Sequence, residues 1–175
     1  FGQYVNSLNG RYITAEDVGT SVKDMEYVYN ETPWVTGIPP DLGGSGDPSP
    51  YTAHGVFQGM KACINELSGN DSLKGLKVAV QGLGNVGYHL CEFLHKEGAQ
   101  LIVSDIDQAK VKKACDEFGA KSVSPDDIAS TECDIFAPCA LGAGVKDQTL
   151  TKFKCKIIDG GEKKVLVEES NGMDL

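Results

Sequence analysis

Three glycines in a G-x-G-x-x-G spacing form the most informative chemical pattern in the sequence. Gly82, Gly84 and Gly87 follow an apolar run typical of a β-strand and open a segment typical of a helix. In such a unit the first glycine permits a tight turn, the second admits a pyrophosphate close to the backbone, and the third lets helix and strand pack closely. The helix beginning near Asn85 would direct its positive end toward the pyrophosphate. Asp105 follows Gly82 by 23 positions, at the end of the next apolar run, and the combination predicts a dinucleotide site.

The carboxylate of Asp105 also indicates which dinucleotide is preferred. It can accept hydrogen bonds from ribose hydroxyls, whereas its charge would repel a 2′-phosphate, so the pattern favours NAD over NADP. Arg11 is the only arginine in the chain, and a 2′-phosphate would need Lys110 or Lys112 as its partner. That alternative stays open, as does a glycine turn that serves packing alone. The predicted cofactor-binding residues of this unit are Gly82, Leu83, Gly84, Asn85, Val86, Gly87, Asp105 and Ile106.

The elements that must position these residues alternate along the chain. Strand-like apolar runs occupy residues 76–81, 101–104, 122–123, 133–136 and 156–158, and helical patterns occupy 85–97 and 108–118. Strands that alternate with helices form right-handed βαβ units on a parallel sheet. We therefore expect an α/β fold with a Rossmann-like, doubly wound parallel sheet that is incomplete and leaves a late strand edge exposed.

The first 50 residues have a different character. A helix is expected to end before Asn9-Gly10, a short β-type run follows at 12–14, and a further helix spans residues 21–30. Residues 36–50 are almost all turn formers. A loop of that length is usually functional, although a solvated linker is the alternative. A helix from Thr52 to about Leu67 is expected after the loop.

Charge and apolar content exclude several classes of partner. The net charge is −9, from 16 Lys and Arg against 25 Asp and Glu, so a nucleic-acid backbone would meet net repulsion. No apolar run is long enough to span a bilayer. We therefore expect neither nucleic acid nor a membrane as a partner.

The cysteines and histidines indicate a reducing environment without a metal. The six cysteines include no C-x-x-C pair, which predicts reduced and buried thiols in a cytoplasmic compartment. Cys63 is expected on the apolar side of the helix that follows the long loop. The three histidines lack metal-ligand spacing, so no metal site is expected.

Four motifs in a fixed order connect the chain with a known family. They are Gly-Arg-Tyr-Ile-Thr-Ala-Glu-Asp-Val-Gly at 10–19, Pro-Ser-Pro-Tyr-Thr-Ala-His-Gly-Val at 48–56, Val-Gln-Gly-Leu-Gly-Asn-Val at 80–86 and Ala-Pro-Cys-Ala-Leu-Gly at 137–142. On these residues the segment from Gln3 to Ile158 resembles the amino-acid dehydrogenases that act on glutamate, leucine, phenylalanine and valine, and most closely the leucine-specific members. Glutamate-specific members have an arginine-containing stretch where this chain has Pro-Tyr-Thr-Ala-His, which favours an apolar amino acid.

The resemblance implies roles for individual residues. Asp17 matches the family's catalytic aspartate, which works with a lysine in proton transfer at the substrate amine; a helix cap or a turn residue is the alternative. Thr52 matches a threonine whose hydroxyl faces the nicotinamide carboxamide, with an N-cap as the alternative. Cys139, Ala140 and Leu141 match the loop along the nicotinamide ribose, where Cys139 is expected to pack rather than to act as a nucleophile.

The resemblance further implies the reaction and organisation of the complete enzyme. The reaction would be NAD-dependent oxidative deamination of leucine, or a similar branched-chain L-amino acid, to a 2-oxo acid and ammonium by a cytoplasmic homo-oligomer. Residues 1–50 would be the end of a substrate domain with its hinge loop, 51–158 the NAD-binding domain, and 159–175 a divergent, disordered tail.

Two departures from the family pattern bear on activity. The family's catalytic lysine and carboxylate-binding lysine have no match in these residues, and Asp159-Gly160-Gly161 stands where relatives have a Gly-Ser-Ala-Asn-Asn-like stretch. We therefore expect a chain shortened at both ends relative to the family, which alone does not oxidise leucine. A noncatalytic NAD-binding or interaction module, and an oxidoreductase for another small substrate, are the alternatives.

Overall fold

Residues 1–142, 145 and 147–162 are described by a computed structural model of the chain, which divides into two units. The first unit comprises Phe1–Ser49, and the second begins at Pro50. The segment predicted to form a disordered tail is described only as far as Glu162. Its remaining part, 163–175, lies outside the described residues.

Helices and strands alternate in the second unit. The helices of the chain are α1 (Gly2–Ser7), α2 (Val22–Tyr29), α3 (Ser49–Ser68), α4 (Asn85–Glu97), α5 (Gln108–Phe118) and α6 (Asp147–Leu150). The strands are β1 (Lys77–Gln81), β2 (Gln100–Ser104), β3 (Lys121–Ser122), β4 (Ile135–Pro138) and β5 (Ile157–Ile158). No helix of the described residues is long and apolar enough to cross a membrane.

The five strands form one parallel sheet in the order β3-β2-β1-β4-β5. The chain runs outward from β1 to β3 and then returns to the other side of β1, so the order reverses between β1 and β4. In open sheets of this kind, ligands bind beyond the carboxyl ends of the strands at such a reversal. The predicted α/β fold with a Rossmann-like parallel sheet is confirmed.

The sheet is buried on both faces, as parallel sheets usually are. On one face Val78 and Val80 of β1 pack with Leu90 of α4 in the larger hydrophobic cluster. On the other face Ala79 packs with Phe136 in a smaller cluster. Because successive side chains point to opposite faces, β1 is apolar at each central position, which explains why it reads as an unbroken apolar run.

The first unit is held by a short helix and a single strand-like contact. Ser21 caps α2: its Oγ accepts the N–H of Asp24, and Oδ2 of Asp24 accepts the Ser21 N–H at 2.8 Å, which completes a capping box. Thr14 and Val35 form an isolated parallel bridge, and Met25 packs with Val35 in a small cluster. The predicted β-type run at 12–14 therefore contributes one bridge and no strand.

Two predicted limits are wrong. Helix α3 begins at Ser49 rather than Thr52, because Oδ1 of Asp47 accepts the Ser49 N–H at 2.8 Å in the manner of a helix cap. Strand β4 lies two residues later than expected. It extends through Pro138, whose ring lacks an N–H but whose carbonyl still accepts the N–H of Glu162 at 3.0 Å.

All six cysteines are free, but not all are buried. Cys91 and Cys133 are buried, whereas Cys63 is exposed, contrary to the prediction. The buried side of α3 follows Ala53, Phe57 and Met60, an i, i+4, i+7 stripe. Cys63 lies about 100° away from the stripe's continuation at residue 64, which accounts for its exposure.

Candidate functional site

The glycine turn lies where β1 ends and α4 begins. Gly82 has φ = +94°, a left-handed conformation that favours glycine. A Cβ atom at this position would lie 2.6 Å from the backbone nitrogen of Ala140. The N–H of Gly82 donates to the carbonyl of Ser104 at 2.7 Å. The turn is therefore pressed between the chain leaving β2 and the chain leaving β4, with no room for a side chain.

Gly84 and Gly87 differ in the space around them. A Cβ at Gly87 would lie 2.0 Å from the carbonyl oxygen of Gly82, so Gly87 allows the helix to pack against the turn. A Cβ at Gly84 would have no neighbour within 4 Å. Gly84 is also the N-cap of α4 and supplies no capping side chain. The first N–H groups of α4 thus adjoin open space, an arrangement suited to an anion such as a pyrophosphate.

Asp105 is joined to the glycine turn through Leu83. The Leu83 N–H donates to Oδ2 of Asp105 at 2.6 Å, and the N–H of Asp107 donates to Oδ1 at 2.8 Å. The carboxylate is half-buried, while the next side chain, Ile106, is 90% exposed. The structure therefore brings Leu83 and Asp105 together, whereas the side chain of Ile106 is exposed and takes no part in this arrangement.

A cavity of about 210 Å³ lies beside the turn. The residues that line it come from the turn, α4 and α5: Leu83, Gly84, Asn85, Tyr88, His89, Lys110 and Lys113. Lys110 is among them, as considered from the sequence for a 2′-phosphate, but the second lining lysine is Lys113, not Lys112. Residues three apart share one helix face, whereas adjacent residues do not, so Lys110 and Lys113 project together.

One of the two lysines that line the cavity, Lys113, already interacts with an aromatic ring. The ammonium nitrogen of Lys113 lies 4.1 Å from the ring centroid of Tyr88, and the Tyr88 hydroxyl donates a hydrogen bond to Glu117. That bond raises the pKa of Tyr88, with burial as a further cause. In the described part of the chain Lys110 makes no ring contact and no ion pair, which leaves it the more available cation of the pair.

The segment after β4 packs directly against the glycine turn. The N–H of Cys139 donates to the carbonyl of Gln81 at 2.7 Å, and the Cβ of Cys139 lies 3.2 Å from the position of a Cβ on Gly87. Burial raises the pKa of the Cys139 thiol to about 11, so it is protonated at neutral pH. This supports a packing role for Cys139. Leu141, by contrast, is 78% exposed.

Asp159, after β5, is an acidic residue at this edge whose role sequence reasoning missed. Its Oδ2 is buried without a hydrogen-bond partner in the described part of the chain, and burial raises the pKa of its carboxyl. Oδ2 lies 2.7 Å from where a Cβ of Gly59 would stand, so the carboxylate is seated against a glycine of α3. In the sequence, Gly59 within α3 could have indicated a close contact. The residue that makes this contact, Asp159, could not be identified because it is distant in sequence.

Asp17 lies in a turn of the first unit. Its Oδ1 accepts the N–H of Val18 at 2.7 Å, its N–H donates to Oγ1 of Thr20 at 2.9 Å, and its carbonyl accepts the Thr20 hydroxyl at 2.7 Å. Asp17 is exposed. Ser21 caps α2, so Asp17 is not the N-cap of that helix. Of the two alternatives to a catalytic role, helix cap and turn residue, only the turn residue agrees with the structure.

Glu16, next to Asp17, has the more perturbed environment. Its Oε2 is buried with no hydrogen-bond partner in the described residues. Burial, and then the carboxylates of Asp47 and Asp24, raise the pKa of Glu16. Nothing in the sequence indicated the raised pKa of Glu16, because the carboxylates that act on Glu16 come from different parts of the first unit.

Thr52 is an exposed residue in the first turn of α3. Because the helix begins at Ser49, Thr52 is not its N-cap, and that alternative is wrong. Among the described residues, no group of three or more His, Cys, Asp or Glu side chains is arranged to hold a metal ion.

Comparison with known proteins assigns the chain to a family. Residues 43–111 match the family model for glutamate/leucine/phenylalanine/valine dehydrogenase. Leucine dehydrogenase from Geobacillus stearothermophilus is 58% identical over 172 residues, which cover 98% of this chain and 47% of that protein. Valine dehydrogenase from Streptomyces virginiae is 41% identical, over 100% of this chain and 50% of that protein.

A solved structure agrees with these matches. The crystal structure of L-tryptophan dehydrogenase from Nostoc punctiforme superposes with a TM-score of 0.80 at 40% identity, and the match covers 99% of this chain and 49% of that one. The chain spans about half the length of the relatives it matches. Over that span, its sequence and its fold show that it belongs to the glutamate/leucine/phenylalanine/valine dehydrogenase family.

Proposed function

We propose that this chain binds NAD at the turn from Gly82 to Gly87 and that it serves the oxidative deamination of a branched-chain L-amino acid, leucine in the first place. The observation that carries the proposal is the pairing of a side-chain-free space at Gly84 with the carboxylate of Asp105, held by Leu83. Membership of a dehydrogenase family supplies the reaction class. When bound, the nicotinamide supplies the acceptor for the hydride that leaves the substrate α-carbon.

The residues of the turn fit a pyrophosphate. Gly84 leaves open space at the N-terminus of α4, and no side chain caps that helix. A bound anion would therefore accept hydrogen bonds from the first N–H groups of α4 and meet the positive end of its dipole. Gly82 and Gly87 have no room for a Cβ, so they hold the turn in the shape that makes this space.

The carboxylate of Asp105 supports NAD over NADP. Each of its oxygens accepts one backbone N–H and retains a further lone pair for a ribose hydroxyl. A 2′-phosphate at the same place would face a negative charge that Lys110, from α5, only partly offsets. We therefore propose NAD as the cofactor, with Ile106, Thr52 and the loop from Cys139 to Leu141 as further contacts.

Asp17 is proposed to move a proton at the substrate amine. Its Oδ1 accepts the Val18 N–H, which orients the carboxylate, and its exposure leaves it accessible to a substrate. A carboxylate can accept and return a proton in such a step. The proposal of leucine as substrate is supported by the 58% identity to a leucine dehydrogenase, against 41% to a valine dehydrogenase.

The compartment and the assembly state are proposed on separate grounds. The free cysteines are those expected in a reducing compartment such as the cytoplasm. A homo-oligomer is proposed as the working form on the resemblance of the sequence to the family.

A binding measurement on this chain tests the proposal. Calorimetry with NADH and with NADPH is expected to show tighter binding of NADH. Gly84→Ser introduces a side chain at the open position and is expected to abolish binding. Ala62→Ser, at an exposed position of α3, is the control and is expected to leave binding unchanged. Equal affinities for the two cofactors, or binding that survives Gly84→Ser in a folded protein, would overturn the cofactor assignment.

A further inference from the structure

Two thiols lie opposite each other on the sheet face that does not carry α4. Cys133 precedes β4 and Cys155 precedes β5, and both belong to the smaller hydrophobic cluster. The register pairs Ile135 with Ile157. Cys133 and Cys155 each precede this pair by two residues, which places their backbones across from each other. Residues 134 and 156 are bends that precede the two strands, so the strict alternation of side chains does not extend to the cysteines. Both cysteines lie in the smaller cluster, whereas Ile135 and Ile157 belong to the larger cluster on the other face.

The backbone pairing continues far enough to hold this position. The N–H of Lys156 donates to the carbonyl of Asp134 at 3.1 Å, one residue from each cysteine. Neighbouring strands are about 4.8 Å apart, and disulfides form across Cα separations of about 4.4–6.8 Å. A bond between Cys133 and Cys155 therefore fits the register as it stands.

The two thiols are already in contact and differ chemically. They are hydrogen-bonded to each other, which lowers the pKa of the Cys155 thiol and raises that of the Cys133 thiol. Backbone N–H groups, among them that of Phe136, also favour the Cys155 thiolate. Cys155 is half-buried and Cys133 is buried. The more accessible sulfur is thus also the one whose thiolate is favoured, as an attacking thiol requires.

We propose that Cys133 and Cys155 form a reversible redox site that is oxidised to an intramolecular disulfide by a small-molecule disulfide such as glutathione disulfide. The Cys155 thiolate attacks one sulfur of the reagent, the reagent's S–S bond breaks, and one glutathione thiolate leaves and takes up a proton. Cys133 then loses its proton and attacks the Cys155 sulfur, which expels the second glutathione. Two protein thiols are oxidised and one glutathione disulfide is reduced to two thiols.

The bond would join the last two strands of the described sheet. β4 carries the Cys139–Leu141 loop at its far end, and β5 carries Asp159. A crosslink at the opposite ends of these strands keeps β5 paired and closes the intervening chain into a loop, which restricts the unfolded state. Oxidation is therefore expected to raise the melting temperature without a change in the glycine turn.

Peptide mapping of the 175-residue chain tests the site. The reduced, folded protein is equilibrated with glutathione and glutathione disulfide in varied ratio, its remaining thiols are alkylated, and it is digested without reductant. The expected product is one linked peptide pair containing Cys133 and Cys155, whose amount rises with the share of glutathione disulfide and falls again on return to glutathione. Absence of that pair at every ratio overturns the proposal.

Variants separate the roles of the two sulfurs. Cys133→Ser is expected to retain a stable glutathione adduct on Cys155, whereas Cys155→Ser is expected to leave Cys133 unmodified. Cys115→Ser, at a half-buried cysteine of α5, is the matched control and should form the linked pair as the parent does. Adducts on Cys133 in place of Cys155 contradict the proposed order of attack. If either serine variant fails to fold, the linked peptide of the parent protein decides the result.

Discussion

The N–H of Leu83 donates a 2.6 Å hydrogen bond to Oδ2 of Asp105 and so ties the glycine turn after β1 to the acidic residue after β2. The Asp107 N–H holds the other oxygen at 2.8 Å. The carboxylate is oriented by the backbone before any ligand arrives. Preorganisation of this kind lowers the entropy lost on binding, which is why Asp105 is the residue on which the cofactor preference is expected to depend.

Asp105→Asn is expected to weaken NADH binding by about tenfold to a hundredfold, since hydrogen bonds to charged groups contribute about 1.5–3 kcal/mol. The ratio of NADPH to NADH dissociation constants should fall, because the repulsion of a 2′-phosphate is removed. Calorimetry measures both constants. Asp107→Asn is the control: Oδ1 of Asp107 accepts the Ala109 N–H at the start of α5, and asparagine caps equally well. A similar loss in both variants would contradict a specific role for Asp105.

Substitutions of Gly87 and of Gly84 are expected to affect different properties of the protein, stability in the first case and NADH binding in the second. Gly87→Ala places a Cβ 2.0 Å from the Gly82 carbonyl oxygen, so the free energy of unfolding should fall by about 1–3 kcal/mol, as overpacking typically costs. Gly84→Ser meets no neighbour within 4 Å and adds a favourable N-cap, so stability should be retained while NADH binding is lost. Urea unfolding and calorimetry on both variants separate the two effects. Loss of stability in Gly84→Ser would show that the space is not open.

Asp17→Asn tests catalysis apart from structure, because an asparagine oxygen can still accept the N–H of Val18. In a leucine-oxidising form of the protein, kcat is expected to fall by about 10²–10⁴-fold, the range for loss of a proton-transferring group. Binding of NADH should be unchanged. Thr20→Ala, which removes the side-chain hydrogen bonds of the same turn, should lower kcat far less. Turnover of Asp17→Asn within a few-fold of the parent would leave Asp17 as a turn residue only.

Alkylation of the cysteines should depend on pH in a residue-specific way. Burial raises the pKa of Cys139 to about 11, and only the thiolate reacts with iodoacetamide. Cys139 is therefore expected to stay unmodified at about pH 8 and to react only as the pH approaches its pKa. The exposed Cys63 serves as the internal reference, with mass spectrometry of the peptides as the measurement. Rapid modification of Cys139 at about pH 8 would contradict its buried, protonated state.

The same shift has a consequence for stability. The folded-state pKa of the Cys139 thiol lies above its ordinary value of 9.0, so folding favours the protonated thiol. Its contribution to the free energy of unfolding is therefore complete below pH 9 and is lost as the pH rises through about 11. Cys139→Ala should make the decline over this interval less steep.

Local signals in the sequence were sufficient for most of the fold. The limits of α4 and α5 agree with prediction because Gly98 and Gly119, with φ of +85° and +66°, end the helices where a left-handed residue is needed. The start of α3 was missed because Asp47 and Pro48 read as loop residues, although an acidic residue before a proline also suits a helix start. Aspartate and proline are common both in loops and at the starts of helices, and packing decides which of the two forms.

The sequence by itself determined the family, the α/β class and the order of the units, since these follow from motifs and periodicities that are local to the chain. It also indicated the glycine turn and Asp105, because their spacing within one βαβ unit is nearly constant. Only the tertiary structure decided that Lys113 rather than Lys112 lines the cavity, that Asp159 is seated against Gly59, and that Cys133 meets Cys155. These relationships join residues far apart in sequence or depend on a helix face, and strand register and helix packing alone bring them together.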